Sequence, residues 1–136
     1  MEETTNKKQK IAVIEDDQVL SRSIAGELED AGYAVVQAFD GEGGLALVLK
    51  EKPDLVLLDV LLPKMDGLLV LEKLRQDPWG KSVPVIVLTN LSEPWDVAAT
   101  ALAGGVHDYL IKVDWTVADV VKKVEERLKT VSPPLK

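Results

Sequence analysis

The sequence has no cysteine and a single histidine, His107. No disulfide can form, and no thiolate is available to a metal. The lack of cysteine fits a cytoplasmic protein. Long apolar runs are missing too: nothing approaches the roughly 18 residues that suggest a membrane span. The first ten residues are polar and charged, unlike a signal peptide. Basic residues are in deficit, with 16 Lys and Arg against 23 Asp and Glu, a formal net charge of −7. That balance disfavours a nucleic-acid surface, which needs clustered Lys and Arg. It favours solubility, or a cation as ligand.

What is present is enough for one domain with a real core: 136 residues, 46% of them apolar. Short apolar runs alternate with helical periodicity. Ile11–Ile14, Ala34–Ala38, Leu55–Leu58, Val85–Leu88 and Tyr109–Ile111 read as strands. Leu20, Ile24 and Leu28 recur every four residues on a helix face, and Gly32 closes that helix as its left-handed terminator. Further helices are expected from about Glu42 to Lys50, from Gly67 to about Gln76, and from Pro94 to about Leu102. Thr116–Asp119 resembles a capping box, and Val117, Val120, Val121, Val124 and Leu128 share one face of the last helix. Five strands and five helices in alternation predict an α/β fold, a doubly wound parallel sheet covered on both faces. The expected order is 2-1-3-4-5, flavodoxin-like. Residues 1–9 form a polar leader, 10–131 the domain and 132–136 a tail with two prolines.

In such sheets, ligands bind beyond the carboxyl ends of the strands, where the strand order switches. Strand 1 ends in Glu15-Asp16-Asp17, strand 3 in Asp59, strand 4 in Thr89 and strand 5 in Lys112. Taken singly, each has a plain structural reading: Asp17 caps a helix, Thr89 makes a turn, Lys112 is a solvated charge. As a set on one edge they point to a site. Carboxylates without His or Cys offer hard oxygen ligands suited to Mg²⁺, which keeps some waters and leaves a position for a phosphate. Asp59 is then a carboxylate able to attack phosphorus. Lys112 and the Thr89 hydroxyl are placed to take further phosphoryl oxygens.

"VIEDD", "LLDVLLPKMDG", "VIVLTN" and "GGVHDYLIK" together resemble the receiver domain of bacterial two-component response regulators. The resemblance spans about Lys10 to Val131. It implies a phosphoacceptor, Asp59, and Mg²⁺ held by Glu15, Asp16 (the direct ligand), Asp59 and the Leu61 backbone carbonyl. It implies a switch pair, Thr89 and Tyr109, a phosphate-contacting Lys112, and the loop signature of Pro63 and Gly67. The implied partners are a histidine kinase or phosphotransfer protein and an output protein on the face of the fourth helix, fifth strand and fifth helix, with a homodimer as an option. Trp95, Tyr109 and Trp115 mark that face. Neither nucleic acid nor membrane is expected as a partner, and the reading is of a stand-alone receiver in the cytoplasm.

The chain departs from the family pattern in two places. Val113 follows the lysine where the family usually has Pro, so a trans bond is expected there. Asn90 follows Thr89 where a small residue is usual. His107 is read as a loop residue, not a phosphoryl carrier. Three rivals remain. A phosphatase with an aspartate nucleophile usually carries a second Asp two positions on, and here that residue is Leu61. A flavin-binding module would present N–H groups to its phosphate after strand 1, not three acids. A receiver serving only as an engineered scaffold, with no signalling role, has the same pattern.

Overall fold

The computed structural model describes residues 8–59, 62, 64–65, 67–89, 108–111 and 116–131, with residues 89, 108–111, 130 and 131 described by their backbone. The strands are β1 (Lys10–Ile14), β2 (Ala34–Ala38), β3 (Leu55–Asp59), β4 (Val85–Thr89) and β5 (Asp108–Ile111). They form one parallel sheet in the order β2-β1-β3-β4-β5, as expected. The helices α1 (Gln18–Asp30), α2 (Gly41–Glu51), α3 (Gly67–Gln76) and a C-terminal helix (Val117–Val131) lie between and after them. The helix expected over Pro94–Leu102 falls outside the described residues.

Apart from the polar end residues Lys10, Asp59 and Thr89, each central strand is apolar because each of its faces meets a different layer. Ala12, Ile14, Val56, Leu58, Val85 and Val87 pack with Val48 of α2 and Val70, Leu71 and Leu74 of α3. The intervening residues Ile11, Val13, Leu55, Leu57, Ile86 and Leu88 pack with Ile24 and Leu28 of α1 and with Val120, Val124 and Leu128 of the C-terminal helix. The period of two along a strand thus serves two cores.

Helix ends follow local chemistry. After α1, Gly32 takes a φ of 105°, its N–H donates to the Glu29 carbonyl, and the Tyr33 N–H donates to Leu28. That pair of bonds is a Schellman ending. The C-terminal helix starts in the expected capping box. The Thr116 N–H donates to Asp119 Oδ2 at 2.8 Å, and the Asp119 N–H donates to Thr116 Oγ1 at 3.3 Å. Thr116→Ala is expected to cost about 1 kcal/mol, read as a lower denaturant midpoint at unchanged m-value.

At the edge of the sheet where the strands begin, Lys10 Nζ donates to Glu51 Oε1 at 2.8 Å. That hydrogen bond, then the lysine charge, holds the Glu51 carboxyl below its ordinary range. A depressed carboxylate stabilises the fold above its unfolded pKa, and the contribution fades as pH falls through the folded value. The stability difference between the wild type and Lys10→Met is therefore expected to shrink as pH drops below the usual glutamate range. Denaturant titrations at several pH values would measure it, and a difference that grows towards acid would oppose the assignment.

Candidate functional site

The β1–β3 register pairs Ile14 with Leu58, so Glu15 and Asp59 are the next residues on neighbouring strands. This is the switch point of the sheet, because β1 leads outward to β2 and β3 leads the other way to β4. Glu15 and Asp59 are buried and Asp16 is exposed. One carboxylate oxygen from each of the three lies within 4.8 Å of the others. The structure thereby brings together three residues that the sequence places at two separate strand ends.

The third acid of the run has a different task. Asp17 is the N-cap of α1, and its Oδ1 accepts from the Leu20 N–H at 3.1 Å. Its own N–H donates to Glu15 Oε2 at 3.0 Å, which helps to fix the buried glutamate. The plain reading of a helix cap holds for Asp17. The run thus divides into a pair facing the site and a cap that starts the next helix.

Asp59 ends β3 as a member of the ladder, paired with Leu88 of β4. Thr89 is the next residue on β4 and pairs with Ile111 of β5. Tyr109 pairs with Val87. Backbone positions therefore put Asp59 and Thr89 at one end of adjacent strands. Leu61, Pro63, Asn90, Trp95, His107, Lys112, Val113 and Trp115 lie outside the described residues, as does the bond between Lys112 and Val113. Gly67 opens α3.

The donor set has a clear chemical preference. Three carboxylates converge, two of them buried, and like charges at this spacing need compensation. Hard oxygen donors with neither sulfur nor imidazole suit a small divalent cation such as Mg²⁺. A metal bound here would use the side of Asp59 shared with Glu15 and Asp16.

Residues 11–125 match the sequence profile of the response regulator receiver domain. The chain belongs to that family. It is 38% identical over 120 residues to the DNA-binding dual master transcriptional regulator RpaA of Synechocystis sp., an overlap of 88% of this chain and 49% of that protein. It is 41% identical over 103 residues to the transcriptional regulatory protein DltR of Streptococcus agalactiae, covering 76% of this chain and 45% of that one. The chain spans about half the length of the curated relatives it matches. Among solved structures, it resembles a CheY-like response regulator receiver domain protein from Methanospirillum hungatei, with a TM-score of 0.84, 27% identity and coverage of 91% of this chain and 96% of that one. It also resembles the signal receiver domain of a signal transduction histidine kinase from Syntrophus aciditrophicus, with a TM-score of 0.81, 29% identity and coverage of 94% and 96%.

The receiver is therefore a signalling domain of two-component systems, a family that works with histidine kinases. Among its described residues, no helix is long and apolar enough to cross a membrane. One part of the site's surroundings escaped the sequence reading. The first turn of α2 packs against Met65, six residues after Asp59, through Gly41. The only signal was compositional: three glycines among residues 41–44, at the start of a helix.

Proposed function

We propose that this receiver, with residues 10–131 as its folded unit, accepts a phosphoryl group on Asp59 from a phosphorylated histidine of a partner kinase. One observation carries the reading: a buried carboxylate at the end of β3 lies within 4.8 Å of the carboxylates of Glu15 and Asp16. In the transfer, an Asp59 oxygen bonds to phosphorus as the phosphorus–nitrogen bond breaks. The electron pair of that bond leaves with the imidazole. Glu15, Asp16, Asp59 and the Leu61 carbonyl would hold Mg²⁺, which when bound supplies charge neutralisation for the acids and the phosphoryl oxygens. Lys112 and the Thr89 hydroxyl would take the remaining phosphoryl oxygens, as the family pattern implies. With Leu61 where an aspartate-based phosphatase carries its second acid, the domain phosphorylates and dephosphorylates itself and turns over no outside substrate.

Phosphorylation then biases a two-state switch through Thr89 and Tyr109. Its output is read by a protein partner at a face that includes Tyr109 on β5, with Trp95 and Trp115 as further contacts. The net charge of −7 supports a protein rather than a nucleic acid as the direct partner of this chain, and the lack of cysteine fits a cytoplasmic setting. Incubation with Mg²⁺ and a small acyl phosphate, followed by intact-mass measurement, is expected to show one added phosphoryl group. An unchanged mass with folded protein and fresh donor would count against the reading.

A further inference from the structure

Met65, six residues after Asp59, is held from the side by the first turn of α2. Gly41 is buried, and a Cβ built on it would collide with the Met65 carbonyl oxygen and lie 2.6 Å from the carbonyl carbon. One turn along, a Cβ on Gly44 would lie 2.6 Å from Ile14 Cγ2, and Ile14 immediately precedes Glu15. One helix turn thus touches both Met65 and the residue that precedes Glu15, and it can do so only because two of its residues lack side chains.

Two further details belong to the same contact. Lys64, beside Met65, is a non-glycine residue with a φ of 70°. Such a conformation persists only where its surroundings enforce it. Its ammonium lies 3.8 Å from Asp40 Oδ2, while Asp40 Oδ1 accepts from the Gly43 N–H at 2.6 Å as the N-cap of α2. Asp40 therefore ties the start of α2 to the segment after β3, and Met65 also packs into the core beside α2 and α3.

We infer that Gly41 and Lys64 are positioning residues: they fix the path of the chain after Asp59 and thereby the geometry in which the acid site meets a divalent cation. This rests on the Mg²⁺ reading above. The direction of effect separates it from mere stability. Gly41→Ala forces Met65 outward and should weaken both fold and metal binding. Lys64→Gly removes a left-handed side-chain penalty, so its melting temperature should hold or rise. It also frees the segment, so its metal affinity should fall.

The experiment titrates Mg²⁺ into wild type, Gly41→Ala, Lys64→Gly and Gly26→Ala by calorimetry, with melting curves in parallel. Gly26 lies within α1, and a Cβ there meets nothing within 4 Å, so it controls for glycine replacement. Losing the support of a metal site typically costs about 10-fold or more in affinity. That loss is expected in Lys64→Gly at an unchanged or higher melting temperature, and in Gly41→Ala if it folds; Gly26→Ala should keep the wild-type affinity while melting at or above the wild-type temperature. Wild-type affinity in Lys64→Gly overturns the inference and leaves the metal site standing. Absence of Mg²⁺ binding in the wild type overturns both.

Discussion

Asp59→Asn is expected to abolish uptake of a phosphoryl group from a small acyl phosphate while leaving the fold intact. An amide has neither the charge nor the nucleophilic oxygen to attack phosphorus, and the remaining acids are differently placed. Asp17 spends its oxygen on the N-cap of α1, and Asp54 accepts the Lys10 N–H at the opposite end of the sheet. Loss should be complete within detection. Asn is nearly isosteric with Asp, so the β3–β4 ladder, in which Asp59 pairs with Leu88, is kept. Intact-mass measurement checks the prediction, with circular dichroism confirming that the variant folds. Labelling that survives at wild-type extent would remove Asp59 from the role.

Asp16→Asn is expected to stabilise the metal-free receiver and to blunt its response to Mg²⁺. Even at the dielectric of bulk water, two unit charges at this spacing repel by about 1 kcal/mol. Removing the exposed member of the trio should raise the metal-free melting temperature by about 4 °C. In the wild type, Mg²⁺ at about 100 times its dissociation constant should add about 2.7 kcal/mol through preferential binding to the folded state. The variant should lose most of that gain. Melting curves in chelator and in Mg²⁺ for both proteins give the four values needed. If Asp16→Asn melts lower than wild type in chelator, the acids are structural and the metal site is contradicted.

Much of the fold was legible because each element carries its own signal. Uniformly apolar runs between amphipathic stretches imply a parallel sheet covered on both faces, and the structure has that sheet in the expected order. β1 and β5 begin one residue before the apolar runs, at Lys10 and Asp108, and β3 and β4 end one residue after theirs, at the polar strand ends Asp59 and Thr89. At those two ends the ladder runs on to Asp59 opposite Leu88 and Thr89 opposite Ile111. Hydropathy marks where apolar character stops, but pairing is a property of the backbone and continues under a polar side chain.

Within α1, a strict fourfold recurrence picks Leu20, yet Ser21 is the fully buried residue of that turn. Its hydroxyl donates to Gln37 Oε1 of β2 at 2.7 Å, a partner that periodicity cannot supply. The acid pair and Asp59 could be grouped from sequence because topology alone brings strand ends 1 and 3 together. The role of Asp17 could not be settled that way, since capping and ligation call for the same side chain. The support given by Gly41 was illegible for a different reason. A close backbone approach leaves only the absence of a side chain in the sequence, and helices contain glycine for many reasons.

The most direct test of the account is to map the phosphorylated residue. The receiver is treated with Mg²⁺ and an acyl phosphate, then reduced with borohydride, which converts an aspartyl phosphate to homoserine. Trypsin cuts after Lys50 and Lys64 but not between Lys52 and Pro53, so Asp59 lies in the peptide spanning residues 51–64, with Glu51 and Asp54 as its other acids. Fragmentation is predicted to place the change at Asp59, and chelator during the labelling step is predicted to prevent it. Modification at any other residue, or undiminished modification of Asp59 in chelator, would contradict a phosphoacceptor that works within a divalent-metal site.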